Sequence, residues 1–203
     1  EEILSGAKRM IEAGVLENPR VDAAMMLHVM TAVPFETGTV IVSNPGISAP
    51  AADYFEIQIE GRGGHGASPE KCIDALTTAA HTVINLEQIP AREISFVDNA
   101  VLTVGALISG DAHNIIPNSA QIKGTLRAFS DETRNFMKKR TEEIALKTAE
   151  TFGAKASVTF PYGTPTLKND KALFNSVLKY QKELFGNKAL SQSELVAGDN
   201  EPR

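Results

Sequence analysis

Between residues 52 and 161 apolar and polar residues alternate with period two in four separate stretches, and no other feature limits the fold of this chain as tightly. Phe55, Ile57 and Ile59 alternate with Glu56, Gln58 and Glu60, the signature of a strand with one face buried and one in water. Leu102, Val104, Ala106 and Ile108 repeat the pattern, and Ile122, Leu126 and Ala128 set against Lys123, Thr125 and Arg127 repeat it again. Ala156, Val158 and Phe160 close the series. Helical spacing interrupts it twice. Ile73, Leu76, Ala80 and Val83 fall on one helix face. A second helix is predicted from about 131 to 152, with Ser130 and Asp131 as capping candidates and Gly153 as its stop. The resulting order, β-α-β-β-α-β, is the ferredoxin-like arrangement: one antiparallel sheet with two helices on one face.

The flanks read differently. Leu4, Ala7 and Ile11 share a face over residues 1–13 and Gly14 follows, which predicts a helix with a glycine stop. The apolar run Ala23–Met30, ended by Pro34, predicts a strand buried on both faces, as in a parallel sheet. Turn residues at Asn44-Pro45-Gly46 and Ser48-Ala49-Pro50 predict a crossing between domains over 39–50, and Pro161, Pro165 and Asn169-Asp170 predict a second one. Asp170 then caps a helix bearing Leu173, Val177 and Leu184, stopped by Gly186. The expected fold class is α/β, one domain contributed by residues 1–46 and 164–203 and interrupted by an inserted ferredoxin-like α+β domain over 47–163. The chain opens at Glu1 without Met and stops at Arg203, and it reads as a piece of something longer.

Composition narrows the partners. The 203 residues carry a net charge of -5, whereas phosphate backbones call for a basic surface, so no nucleic-acid partner is expected. No apolar run approaches the roughly 20 residues needed to span a bilayer. A single cysteine, Cys72, rules out an internal disulfide framework and fits a reducing cytoplasm.

Several side chains suggest chemistry, each beside a plainer reading. The carboxylates of Glu1 and Glu2 sit where the helix dipole favours acids, yet adjacent carboxylates also divide labour, one holding a metal and the other polarising its water. His28, within the apolar run, must satisfy two ring nitrogens in a dry place, and imidazole is a common ligand of zinc-like metals. Gly61-Arg62-Gly63-Gly64-His65-Gly66 leaves a strand and enters a helix. Its glycines either let backbone approach a ligand with His65 at the tip or make an idle, flexible loop. Asn114, in Asn114-Ile115-Ile116-Pro117, and Arg127, on a polar strand face, could grip a carboxylate or simply serve as a turn residue and a solvated cation. His81 and His113 carry only the plain reading, and Cys72, beside a helix face, reads as core.

In that order, Glu1-Glu2, Leu27-His28-Val29, Gly61-Arg62-Gly63-Gly64-His65, Asn114-Ile115-Ile116-Pro117 and Gly124-Thr125-Leu126-Arg127, the chain resembles a family of metallo-amidohydrolases. That family includes aminoacylases, hippurate hydrolases, auxin-conjugate hydrolases, N-acetyl-diaminopimelate deacetylases and carboxypeptidase G, and the likeness runs to about residue 190. It implies the following. Glu1 is the general base, and Glu2 and His28 are ligands of one of two divalent ions (zinc, manganese, cobalt or nickel). His65 reaches the active site of a neighbouring subunit and steadies the oxyanion, and Asn114 and Arg127 hold the substrate carboxylate or backbone. The inserted domain makes a homodimer, and the reaction is hydrolysis of the amide bond of an N-acyl amino acid. The upstream segment of the form Met-His-x-Cys-Gly-His-Asp and a downstream histidine ligand do not occur in this sequence, and Ala197-Gly198-Asp199-Asn200 resembles the late acidic motif only at its start. On that pattern these residues alone do not build a complete two-metal site. Two other readings stand beside it: a noncatalytic ferredoxin-like module for dimerisation or small-ligand binding, and a dipeptidase or carboxypeptidase of the same family.

Overall fold

The computed structural model describes residues 6–29 and 35–192. The chain divides into two compact units, one formed by the residues up to Ala49 with those from Leu167, the other by Pro50–Thr166.

The second unit contains strands β3 (Ala51–Glu60), β4 (Gly64–His65), β5 (Ala100–Ile108), β6 (Ile115–Ile116), β7 (Ser119–Ala128) and β8 (Lys155–Thr164), with helices α2 (Ala75–Leu86) and α3 (Asp131–Thr151). Its main sheet has the order β5-β7-β3-β8 with every pair antiparallel. This is the expected βαββαβ topology. Alternation works as physics requires: Phe55, Ile57 and Ile59 of β3 and Ile122 and Leu126 of β7 are buried against the helices. At Gly124, between them, a Cβ would collide with the Phe55 ring and the Thr103 carbonyl, so glycine makes room for the largest core side chain. Ser130 caps α3, its hydroxyl accepting from the Thr133 amide at 3.1 Å, and Gly153 takes a left-handed φ of +72° after it.

Two details depart from the sequence pattern. In α2 the buried face is Ala75, Thr78, Ala79, Thr82 and Leu86. Leu76, Ala80 and Ile84 face outward instead, Ile84 being 66 % exposed. The helix lies close to the sheet by turning small residues inward, and the threonine hydroxyls bond back to the carbonyls of Asp74 and Thr78, which makes them acceptable in the core. In β5 an irregularity at Gly105 shifts the register, so Leu107 rather than Ala106 opposes Ile122.

The other unit holds α1 (Gly6–Glu12), β1 (Val40–Val42), β2 (Gly46–Ala49), β9 (Leu167–Asn169), α4 (Lys171–Phe185) and β10 (Ala189–Ser191). β1 runs parallel to β10, and β2 pairs antiparallel with β9. β1 and β2 therefore occupy the first expected crossing and β9 the second, and β2 pairs with β9 across more than a hundred residues. Asp170 caps α4 by accepting from the Leu173 amide at 2.8 Å. Leu173 and Val177 are half-buried as expected, but Leu184 is 76 % exposed.

The strand expected over residues 23–30 is corrected. Residues 21–29 have no regular structure and are exposed throughout, so His28 is neither on a strand nor buried. An apolar run becomes a strand only where neighbouring strands accept its amides and carbonyls, and among the described residues none does so here.

Candidate functional site

The glycine-rich segment after β3 is held on both sides. The Gly61 amide donates to the Asn118 carbonyl at 2.8 Å, Arg62 exchanges two backbone hydrogen bonds with Ile73 at 2.9 and 2.8 Å, and the Gly66 amide donates to the Asn114 carbonyl at 2.8 Å. A Cβ on Gly61 would strike the Ile73 carbonyl, one on Gly63 would lie 2.6 Å from the Ile116 carbonyl, and one on Gly64 would lie 2.6 Å from Cys72 Sγ. The glycines thus let backbone approach backbone. Cys72 is half-buried just before α2, donating weakly to the Ser68 carbonyl at 3.6 Å.

This clip sets the orientation of His65. The Ala67 amide donates to His65 Nδ1 at 3.1 Å. With Nδ1 accepting, the neutral ring carries its proton on Nε2, and the side chain is exposed. The result is an N–H donor presented to whatever lies outside. β4 pairs with β6 so that His65 opposes Ile115, and Asn114 is the next residue along. The Asn114 carbonyl is taken by Gly66, while its exposed side-chain amide has no protein partner among the described residues. The backbones around His65 and Asn114 are therefore brought together.

Arg127 is not with them. It opposes Ala52 on β3 and Val101 on β5, whereas the clip leaves the sheet at the other end, where Glu60 opposes Ser119. Eight residue steps along β7 separate Ser119 from Arg127, roughly 27 Å at the usual rise of a strand. Within one chain Arg127 and Asn114 do not reach the same small carboxylate.

Glu1 and Glu2 lie outside the described residues. His28 stands exposed, with the Val29 amide 3.0 Å from its Nδ1. Among the described residues no three His, Cys, Asp or Glu side chains gather to hold a metal ion, so the donors present do not fit a metal centre by themselves. His81 stacks against Phe152 with ring centroids 4.8 Å apart, and His113 is exposed in the loop before Asn114.

One charged cluster escaped the sequence reading. Asp53 is only 2 % exposed and accepts from Arg134 at 2.6 and 2.8 Å and from Lys138 at 3.3 Å. Lys138 also sits over the Phe160 ring, 4.6 Å from its centre. Burial pushes the Asp53 carboxyl up, but the hydrogen bonds and charge of Arg134, aided by Lys138, outweigh it and hold the pKa below its ordinary value. On β8 a Cβ at Gly163 would run into the same carboxylate. The signal was legible: Asp53 has the parity of Phe55, Ile57 and Ile59, an acid on the apolar face. All its partners are internal, so the cluster fastens α3 to the sheet.

A family profile described as the peptidase dimerisation domain matches residues 50–152, about half the chain. The chain belongs to the M20 peptidase family. Among its relatives, the IAA-amino acid hydrolase ILR1-like 2 of Arabidopsis thaliana is 36 % identical over 205 residues, covering 99 % of this chain and 45 % of that protein. The hippurate hydrolase of Campylobacter jejuni is 34 % identical over 189 residues, covering 93 % and 48 %. In three dimensions a Bacillus subtilis protein, described as a dinuclear metal binding peptidase of the M20 family, superposes with a TM-score of 0.67 at 26 % identity, covering 94 % of this chain and 46 % of the other. The chain thus spans about half the length of the M20 relatives it matches.

Proposed function

We propose that the full-length protein is a metal-dependent amidohydrolase that cleaves the amide bond of N-acyl amino acids, hippurate-like or N-acetylated, as a homodimer joined through residues 50–166. The observation that carries this reading is the glycine-rich clip, which holds His65 as a fixed N–H donor with its backbone tied to the Asn114 segment, inside the region matched by the dimerisation profile. Relatives named as hippurate hydrolase, N-acyl-L-amino acid amidohydrolase and N-acetylcysteine deacetylase support the reaction class. A reducing cytoplasm suits the one unpaired cysteine.

An amide is a poor electrophile, so its carbonyl oxygen must be stabilised as charge develops and its leaving amine must be protonated. In the proposed scheme Glu1 takes a proton from the attacking water as the water oxygen bonds to the carbonyl carbon. The His65 Nε2–H donates to the oxyanion. As the C–N bond breaks, Glu1 returns the proton to the departing nitrogen. Asn114 and Arg127 engage the substrate carboxylate, Arg127 through its planar fork. Glu2 and His28 are proposed as ligands of one of two divalent ions. The Bacillus subtilis neighbour's description as a dinuclear metal binding peptidase supports that requirement.

Two features support the dimer. The sheet's edges differ: β8 carries Lys155 and Pro161, both of which discourage further pairing, whereas β5 has neither charge nor proline from Ala100 to Ile108. Beside β5, helix α2 turns Leu76, Ala80 and Ile84 outward in a helical stripe. Antiparallel pairing of β5 with its copy would set the Ala100 end of one chain against the Ile108 end of the other. Arg127 would then lie about three strand spacings, roughly 15 Å, from the partner's copy of the loop bearing Asn114, nearer than within its own chain.

The test is turnover of N-benzoylglycine and N-acetyl amino acids by the full-length enzyme. Wild type is expected to hydrolyse them and to stop when a chelator removes its metal, and Glu1→Gln is expected to be inactive with metal still bound. An active Glu1→Gln enzyme would remove the proposed base.

A further inference from the structure

The segment joining β5 to β7 by way of β6 borders an open hollow of about 300 Å³ lined by Gly110, Asp111, Ala112, Ile115 and Pro117. Gly110 sits at a φ of +63°, and a Cβ there would touch the Pro117 ring at 3.5 Å, so the loop folds tightly over its own base. The floor residue Ile115 is the cross-strand partner of His65. Paired residues on adjacent strands send their side chains to the same face, with Cβ atoms roughly 5 Å apart. The His65 imidazole and the hollow are therefore neighbours on one surface.

The geometry points to this hollow as an acyl-group pocket, an inference that rests on the amidohydrolase reading above. In that reading the His65 Nε2–H faces the oxygen of the scissile carbonyl. The acyl substituent is bonded directly to that carbon, so it, like the amide nitrogen, sits within a few ångströms of the imidazole, and of the two sides it is the one that carries no charge. Four of the five lining residues, Gly110, Ala112, Ile115 and Pro117, offer such a group an apolar surface to lie against. Near the lower end of small-ligand pockets, a volume of this size suits one ring or a branched chain rather than a peptide. Ala112 and Ile115 then set acyl preference.

Ala112 is exposed on the loop, so Ala112→Phe fills the hollow without disturbing the core. In the full-length enzyme kcat/KM is measured for the N-benzoyl and N-acetyl derivatives of one amino acid. Ala112→Phe is expected to lower the benzoyl value about tenfold or more and leave the acetyl value within about twofold, the scale on which pocket shape discriminates. Ile115→Ala, which widens the hollow, is expected to move the ratio the opposite way. Equal changes for both substrates, or no change in either variant, overturn the pocket while leaving the amidohydrolase reading intact. A wild-type enzyme that turns over neither substrate overturns both.

Discussion

The two units treat similar apolar residues in opposite ways. In residues 50–166, Phe55, Ile57, Ile59, Leu86, Ile89, Ile122, Leu126 and Met137 are each no more than 1 % exposed. In the other unit Met25, Met26, Leu27 and Val29 are 74, 78, 85 and 79 % exposed, and only Ala189 and Ser191 are buried among its described residues. Hydrophobic content does not separate them. What separates them is whether a complementary face is supplied: β3, β7, α2 and α3 enclose one another, whereas the run before Val29 meets no neighbouring strand among the described residues. Apolar patterning states what a segment would bury, and burial needs a second surface.

That contrast can be broken or sharpened by mutation. The largest effect is expected at the centre of the inserted unit, where Phe55→Ala removes a fully buried ring and costs about 3–5 kcal/mol. It should appear as faster hydrogen exchange across the β3 and β7 amides and a lower denaturant midpoint. Next comes Asp53→Asn, which leaves Arg134 and Lys138 beside a neutral group and is expected to cost about 3 kcal/mol. This effect carries a pH signature. Because the folded Asp53 pKa is lowered, its contribution is fully present above the unfolded carboxylate pKa and is lost as pH falls through the folded value. Wild type should therefore lose stability on acidification more steeply than Asp53→Asn, as read by denaturant melts at a series of pH values. The smallest effect is expected at Met26→Ala in this chain, within about 0.5 kcal/mol. A larger loss in the same melts would show that the exposed run is packed after all and erase the contrast.

The inserted unit was legible because its strands and helices carry their own periodicity and complete one another's core. Even there, α2 differs: helical spacing put Ile73, Leu76, Ala80 and Val83 on one face, but Ala75, Thr78, Ala79 and Thr82 face inward because the helix lies close to the sheet, leaving Leu76 and Ala80 exposed. The short strands β1, β2, β9 and β10 were hidden, since three or four residues carry no measurable period and their partners lie far along the chain. At the site, the glycines and His65 stood out in the sequence, but their backbone-to-backbone role did not. Asn114 and Arg127 looked like neighbours in one dimension but lie apart within one chain, because Arg127 sits near the far end of β7 while Asn114 precedes β6, beyond its start. The hollow beneath Gly110 has no sequence signal, since it arises from how a loop folds over its own base.

A site divided between two chains can be tested by complementation. Full-length Glu1→Gln and His65→Ala enzymes, each nearly inactive alone, are unfolded, mixed in equal amounts and refolded, and hydrolysis of N-benzoylglycine is followed. If His65 serves its partner's site, half of the randomly formed dimers contain one intact site, and the mixture should recover about a quarter of wild-type turnover. A mixture no more active than its parents, with mixed dimers demonstrably present, would contradict the shared site and leave His65 acting within its own chain or not at all.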